Sequence, residues 1–208
     1  MTAGDEQTPA DREHGATGAA ELESLRRSHE ALRELYRISA EPDLSDDERI
    51  ERMLEVGRER LGVPNGYPSV IDPEDDGYDI EVAVGDGGVE TGDSFDFSTT
   101  YCRRTVGDDE VRLLANVDET VWADDIAHET HGLSCYVGGR VDVDGELYGT
   151  VCFSGTESRE PFTEDERTLV ELLVEWIGNQ LERRRFERER RERREAIEAA
   201  GSAITVAE

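Results

Sequence analysis

The chain has 208 residues, 51 of them acidic and 23 basic, for a formal net charge of −28. That length suits one domain of about 150 residues with flanking pieces, and the acidity disfavours direct nucleic-acid binding, which needs a basic face for phosphate. No apolar run reaches the roughly 18 residues of a membrane-spanning helix, and the polar, acidic opening lacks the basic start and apolar core of a secretory signal, so a cytoplasmic protein is expected.

Residues 1–20 hold too few large apolar side chains to bury anything and read as a disordered acidic tail. The segment 21–42 reads as a coiled-coil-like helix, with Leu22, Leu25, His29, Leu32, Tyr36 and Ser39 at 3-4 spacing before Pro42. Ser45 and Glu48 form a capping box for a second helix carrying Ile50, Met53, Leu54 and Leu61, stopped by Gly62. Gly66–Asp72 and Tyr78–Val84 read as a β-hairpin around PEDDG. Ser98–Val106 reads as a short helix capped by Ser98, Val111–Ala115 as a strand, and Thr120–His131 as a mobile stretch with weak helical character. Leu133–Val143 and Glu146–Phe153 flank Asp144-Gly145, a dipeptide that favours a tight type I′ turn. Thr163 and Glu166 form a second capping box for a helix with Leu169, Leu172, Leu173, Trp176, Ile177 and Leu181 on one side. It continues through Arg183–Glu195, where opposite charges recur at i,i+4.

The order of these elements, with Gly132–Val141, Val143–Phe153, Pro161–Glu166 and Tyr101-Cys-Arg-Arg104, resembles a GAF domain of the haloarchaeal sensor-kinase and bacterio-opsin-activator type. The resemblance implies an α+β fold (an α/β sandwich) over 45–185. An antiparallel five- to six-stranded sheet would carry N- and C-terminal helices on one face and a pocket on the other. Residues 186–195 would be a charged signalling helix, and 196–208 resemble the truncated start of a PAS domain. The implied role is sensory: a small ligand or a redox change is registered and passed through a dimeric exit helix to a downstream PAS or output domain, a kinase or a transcription regulator. The alternatives are a non-sensing dimerisation scaffold and a GAF-fold methionine sulfoxide reductase.

Cys102, Cys135 and Cys152, an odd number in a chain without a signal, are read as free thiols. If Asp144-Gly145 is a two-residue turn, Val137 faces Cys152 and Cys135 faces Ser154. Cys135 and Cys152 then share a sheet face about 7 Å apart. The resemblance places Cys102 over the same pocket, so the expected pocket residues are Tyr101, Cys102, Trp122, Cys135, Tyr136 and Cys152. Three thiols there would suit redox sensing, a thiolate ligand to iron or haem, or chromophore attachment; the alternative is simple packing of small hydrophobes. The cofactor, if any, stays unassigned.

His128, His131 and Cys135 form H-x2-H-x3-C, but without a second paired motif they are read as two surface histidines beside a core cysteine, and no metal is expected. Cyclic-nucleotide-binding GAF domains carry an Asn-Lys pair, and this chain has no Lys; Phe162, Asp165 and Glu166 are explained by packing and capping. No catalytic motif is present: Gly85-Asp-Gly-Gly88 is not followed by Lys.

Every basic residue is Arg, and between Glu41 and Glu160 there are 31 acidic residues against nine Arg. Such a surface repels itself in dilute salt. The repulsion largely vanishes when the screening length falls to about 3 Å at molar salt. The composition points to a high-salt cytoplasm, with Arg-for-Lys codon bias as the alternative. Dialysis from molar to millimolar salt is therefore expected to unfold the domain, as followed by far-UV circular dichroism; an unchanged spectrum would refute the high-salt reading.

Overall fold

In the computed structural model, residues 26–108 and 110–205 are described, with side chains through 197. The expected acidic tail and the first residues of the coiled-coil-like helix lie outside this range. Both capping boxes form. The Ser45 side chain accepts from the Glu48 N–H, and the Glu48 carboxylate accepts from the Ser45 N–H at 2.9 Å. Thr163 and Glu166 repeat the exchange at 3.2 and 2.8 Å. Each satisfies N–H groups that a helix start leaves orphaned.

Helix α1 (26–40) turns Ala31, Leu35 and Ile38 into the domain, and leaves the expected seam of His29, Leu32, Tyr36 and Ser39 facing outward. Helix α2 (Asp46–Leu61) buries Ile50, Met53, Leu54 and Leu61, and ends at Gly62 with φ 65°. Helix α5 (Glu164–Thr205) buries Leu169, Val170, Leu173, Ile177 and Leu181, while Leu172 and Trp176 are only half-buried. It stays helical to Thr205, into the stretch that resembles the start of a PAS domain.

All three helices pack on one face of an antiparallel sheet of seven strands, one more than the upper expectation. The strands are β1 (Asn65–Asp72), β2 (Gly77–Ile80), β3 (Val84–Gly85), β4 (Ser94–Asp96), β5 (Arg112–Leu114), β6 (Cys135–Val143) and β7 (Glu146–Gly155), in the spatial order β4-β2-β1-β7-β6-β5, with β3 paired to the start of β1 beside β2. The single run expected over Tyr78–Val84 is interrupted. Ile80 pairs with Ser69 but Val84 with Gly66, so one extra residue bulges out between β2 and β3.

The short helix expected from Ser98 is corrected. A 3-10 turn covers Phe97–Thr99, and α3 spans only Cys102–Thr105. Ser98 caps nothing, because its N–H and hydroxyl both donate to the Asp76 carboxylate at 2.7 Å. The stretch read as mobile is anchored by the buried Trp122, Asp125 and Ala127, and closes in α4 (Ile126–His131).

At the β6–β7 turn, Asp144 and Gly145 take φ 55° and 80°, as a type I′ turn requires. The turn-proximal pairs Val143–Glu146 and Asp142–Leu147 follow the expected register, but the next is Val141–Gly149. Tyr148 is the extra residue, and from there Cys152 faces Gly138, and Cys135 faces Gly155. The expected Cys135–Cys152 juxtaposition is thereby overturned: a one-residue slip exchanges the faces of a strand.

Gly149 makes that register possible. A Cβ there would lie 1.7 Å from the Ser69 carbonyl oxygen of β1. Gly149→Ala must therefore push β1 off β7, and is expected to lower stability by about 3 kcal/mol, the upper end of the usual cost of overpacking. Urea unfolding followed by tryptophan fluorescence reads this directly.

Candidate functional site

The second face of the sheet is covered by chain. Strand alternation sends Tyr67 and Ser69 of β1, Tyr78 and Ile80 of β2, Tyr136 of β6, and Thr150, Cys152 and Ser154 of β7 to this side. The 3-10 turn, α3 and the 115–134 segment close over them. This floor is unusually rich in hydroxyls, all buried and all paired. Ser69 and Thr150 hydroxyls meet at 2.8 Å, Tyr67 and Ser154 at 3.2 Å, and Thr105 and Tyr136 at 2.8 Å. Pairing is what makes such burial affordable.

Between floor and cover lies a partly open cavity of about 140 Å³, lined by Tyr78, Phe95, Tyr101, Cys102, His131 and Tyr136 among others. The lining is mostly aromatic and aliphatic, with a few polar tips, the usual make-up of a small-molecule site.

Of the six residues expected at a pocket, Tyr101, Cys102 and Tyr136 line this cavity. Trp122 packs behind Tyr101, with ring centroids 5.4 Å apart. Cys152 lies just under the lining, on the same face. Cys135 does not belong with them: the bulge at Tyr148 turns it into the helix-side core with Val137 and Phe153. Tyr67, Tyr78 and Thr150 were missed by sequence reading, although the period-2 series Tyr67-Ser69-Ile71 and Thr150-Cys152-Ser154 carry the signal.

The two thiols on this face meet. Cys102 Sγ lies 3.4 Å from Cys152 Sγ, 3.1 Å from the Tyr78 hydroxyl and 3.4 Å from the Tyr136 hydroxyl. The Thr150 hydroxyl reaches Cys102 at 3.3 Å and Cys152 at 3.2 Å. Burial opposes ionisation of Cys102, but donors from Cys152, Thr150, Tyr136 and Tyr78 outweigh it and bring its pKa down to about 6. Burial, then the adjoining Cys102, pushes Cys152 well above the ordinary thiol range. The donors thus converge on the Cys102 sulfur. Burial also raises Cys135, to about 11, as expected of an inert core thiol.

The histidines of H-x2-H-x3-C are drawn to separate partners. His131 Nε2 lies 3.3 Å from the Thr99 hydroxyl, and its ring stands edge-on to Phe95. His128 spans the Leu133 carbonyl and Asp118. Among the described residues, no cluster of three or more His, Cys, Asp or Glu has the arrangement of a metal site.

The cover is fastened by one carboxylate. Asp125, whose side chain is fully buried, accepts from Arg103 at 2.7 Å, from Arg104 at 2.9 Å, and from the Ala127 N–H as the cap of α4. Arg104 and Arg112 also lie over the Trp122 ring, at 4.9 and 5.6 Å. The clasp thus ties α3, which carries Cys102, to the 115–134 segment. Burial opposes the Asp125 charge, yet the Arg103 hydrogen bond, the Ala127 N–H and Arg104 together lower its pKa below the ordinary 3.8. A depressed folded-state pKa contributes stability that is fully present above the unfolded value and is lost as pH falls through the folded one. Asp125→Asn is expected to lower stability at pH 7 by about 1–2 kcal/mol. The gap to the wild type should close below about pH 3, as measured by urea unfolding across pH.

Comparison with known proteins agrees with this architecture. Residues 47–181 match the family model described as the GAF domain. Among solved structures, the GAF domain of a phosphoenolpyruvate-protein phosphotransferase from Coxiella burnetii superposes with a TM-score of 0.60 at 15% identity, covering 80% of this chain and 96% of that one. The phycocyanobilin-bound GAF domain of a cyanobacterial phytochrome gives 0.59 at 17% identity, covering 76% and 96%. The free methionine-R-sulfoxide reductase of Neisseria meningitidis, in complex with its substrate, gives 0.55 at 13%, covering 73% and 86%. No match was found among curated proteins. At these identities the structural likenesses speak for the fold alone, and it is the family match over most of the chain that decides membership: the chain belongs to the GAF domain family.

Proposed function

We propose that this GAF domain is the input module of a cytoplasmic, salt-adapted sensor, with the cavity as its receiving side and α5 as its output. The observation that carries this reading is the two-sidedness of β7. Thr150 and Cys152 lie on the cavity side, just beneath its lining and in contact with the lining residue Cys102, while Val151 and Phe153 of the same strand press into the helix-side core. The Phe153 ring fits so closely against α2 that a Cβ on Gly57 would lie 2.5 Å from it and 2.7 Å from Leu173 of α5. A shift of β7 caused by an occupant, or by a redox change at its thiols, therefore reaches α5 through rigid packing.

The outward stripe of α1 supports a second copy of the chain as the module's partner. Leu32 and Tyr36 are 39% and 70% exposed, and Phe186 on α5 is 42% exposed. In a dimer paired through these helices, α5 would hand its movement to a downstream PAS or output domain of a kinase or transcription regulator. No catalytic step is assigned. A scaffold with a self-filled pocket is the weaker reading, because the cavity is open and lined for a guest. Neither nucleic acid nor membrane is proposed as a partner; among the described residues, no helix is long and apolar enough to cross a membrane.

The cavity is close in size to one of about 150 Å³ that takes up benzene, so benzene is a suitable first probe. Saturating benzene is expected to stabilise the protein, by about 2.7 kcal/mol at a hundredfold excess over its Kd. Val89→Trp, which fills the cavity, should abolish the effect. A spin label at Glu192→Cys should report an inter-helix distance that changes with occupancy. A monomer at molar salt, or labels that do not respond, would sink the transmission model.

A further inference from the structure

Cys102 and Cys152 differ in one respect that matters chemically. Both are buried, but Cys102 lines the cavity while Cys152 lies behind it, in contact with Cys102 and out of reach of an entering molecule. The sulfurs are 3.4 Å apart, against about 2.05 Å in a disulfide, so closure needs a movement of little more than an ångström. Cys102 sits on α3, a helix of only four residues joined to the cover, whereas Cys152 is fixed in a central strand between β1 and β6. The third thiol, Cys135, lies on the opposite face of the sheet. An attacking thiol that lines a cavity, backed by a resolving one, is an arrangement suited to thiol oxidation.

We propose that Cys102 and Cys152 form a dithiol oxidation site, at which a small hydroperoxide entering the cavity is reduced and the pair closes to an intramolecular disulfide. The inference deepens the redox arm of the sensory reading and rests on the cavity being the input side. In the first step the Cys102 thiolate attacks the terminal oxygen of the hydroperoxide. The O–O bond breaks, an S–OH bond forms, and the leaving alkoxide takes the proton released by Cys102. The Tyr78 and Tyr136 hydroxyls, 3.1 and 3.4 Å from that sulfur, are placed to relay this proton.

In the second step the Cys152 sulfur attacks the sulfenic sulfur. The S–S bond forms, the S–O bond breaks, and hydroxide leaves as water with the Cys152 proton. In sum, two thiols lose two protons and two electrons, and the hydroperoxide becomes an alcohol and water. An external dithiol resets the site. The product pins α3, and with it the Asp125 clasp, onto β7. The chemical event would thereby become a displacement of the strand that backs α5.

The test uses the full chain in molar salt, treated with one equivalent of tert-butyl hydroperoxide, then denatured, alkylated and mapped by mass spectrometry without reduction. A Cys102–Cys152 linked peptide lighter by two hydrogens is expected, reversible by dithiothreitol, with Cys135 alkylated throughout. Cys152→Ala should accumulate a Cys102 sulfenic acid trapped by dimedone. Cys102→Ala should slow peroxide consumption at least about tenfold. The wild-type map decides the matter by itself should a variant fail to fold. Free, alkylated Cys102 and Cys152 after treatment would overturn the proposal, as would oxidation of Cys135 first, or sulfinic acid at Cys102 without the disulfide. If the thiols stay reduced while benzene still stabilises the protein, the dithiol site falls and the ligand-binding reading stands. A disulfide without benzene binding separates the two in the opposite sense.

Discussion

The β6–β7 hairpin carries one residue more on its second strand than a two-residue turn requires, and the organisation of both faces of the sheet follows from that residue. Tyr148 is the surplus; its hydroxyl leaves the ladder to donate to Glu81 at 2.9 Å. Beyond it, β7 pairs with β6 in a shifted register, so Thr150, Cys152 and Ser154 face the cavity and Val151 and Phe153 face the helices. Without the bulge, residues from Gly149 onward would exchange faces. Phenylalanine would fill the cavity, and a thiol and two hydroxyls would be stranded among Leu173, Ile177 and Met53. Gly149 is the local condition for the bulge, since only a residue without a Cβ lets Ser69 approach as closely as it does.

Given that register, the polar floor explains itself. A cluster of hydroxyls and thiols buried on one face of a sheet costs stability unless each finds a partner, and here each hydroxyl meets another hydroxyl or a thiol. The same pairing leaves the floor chemically responsive. Tyr78, Tyr136 and Thr150 all meet the Cys102–Cys152 pair, so a change in charge or bonding at either sulfur is felt by three strands and by α3. The helix-side core is packed mainly from Leu, Ile, Val and Phe.

Much of the frame was legible in the sequence because local chemistry dictates it. The two capping boxes, Gly62 as a helix stop, the Asp144-Gly145 turn and the apolar stripe of α5 all depend on residues within a few positions of one another. What escaped depends on distant partners. Ser98 looks like a cap, but the Asp76 carboxylate, twenty-two residues earlier, claims both its donors. The bulge at Tyr148 is invisible locally, because its cause is the approach of β1 to Gly149. The pocket residues split along the same line. Cys102 follows from the family resemblance, whereas Cys135 was misplaced by the unseen register shift. Asp125 gave no sequence signal, since its partners Arg103 and Arg104 come together only through the fold.

The arginines show how an acidic, lysine-free chain holds its elements together. Arg49, 6% exposed, donates to the carbonyls of Ile38, Glu41 and Leu44, to Asp46 and to Gln180 of α5. It thereby joins the end of α1, the connecting loop, α2 and α5 at one point. Arg159 does the same at the other end of the helix layer, donating to the Leu61 carbonyl and to Glu166, and covering the Phe162 ring at 4.1 Å. A planar guanidinium with five donors can serve several carbonyls at fixed angles, which an ammonium on a flexible stem does not do. These knots lie where α1 and α5 meet the core, so the outward stripes of both helices are held in a fixed relation to the sheet. In the proposed dimer, movement of β7 would therefore reach a rigid pair of helices, and a rigid pair is what a two-fold interface would read as a change of angle.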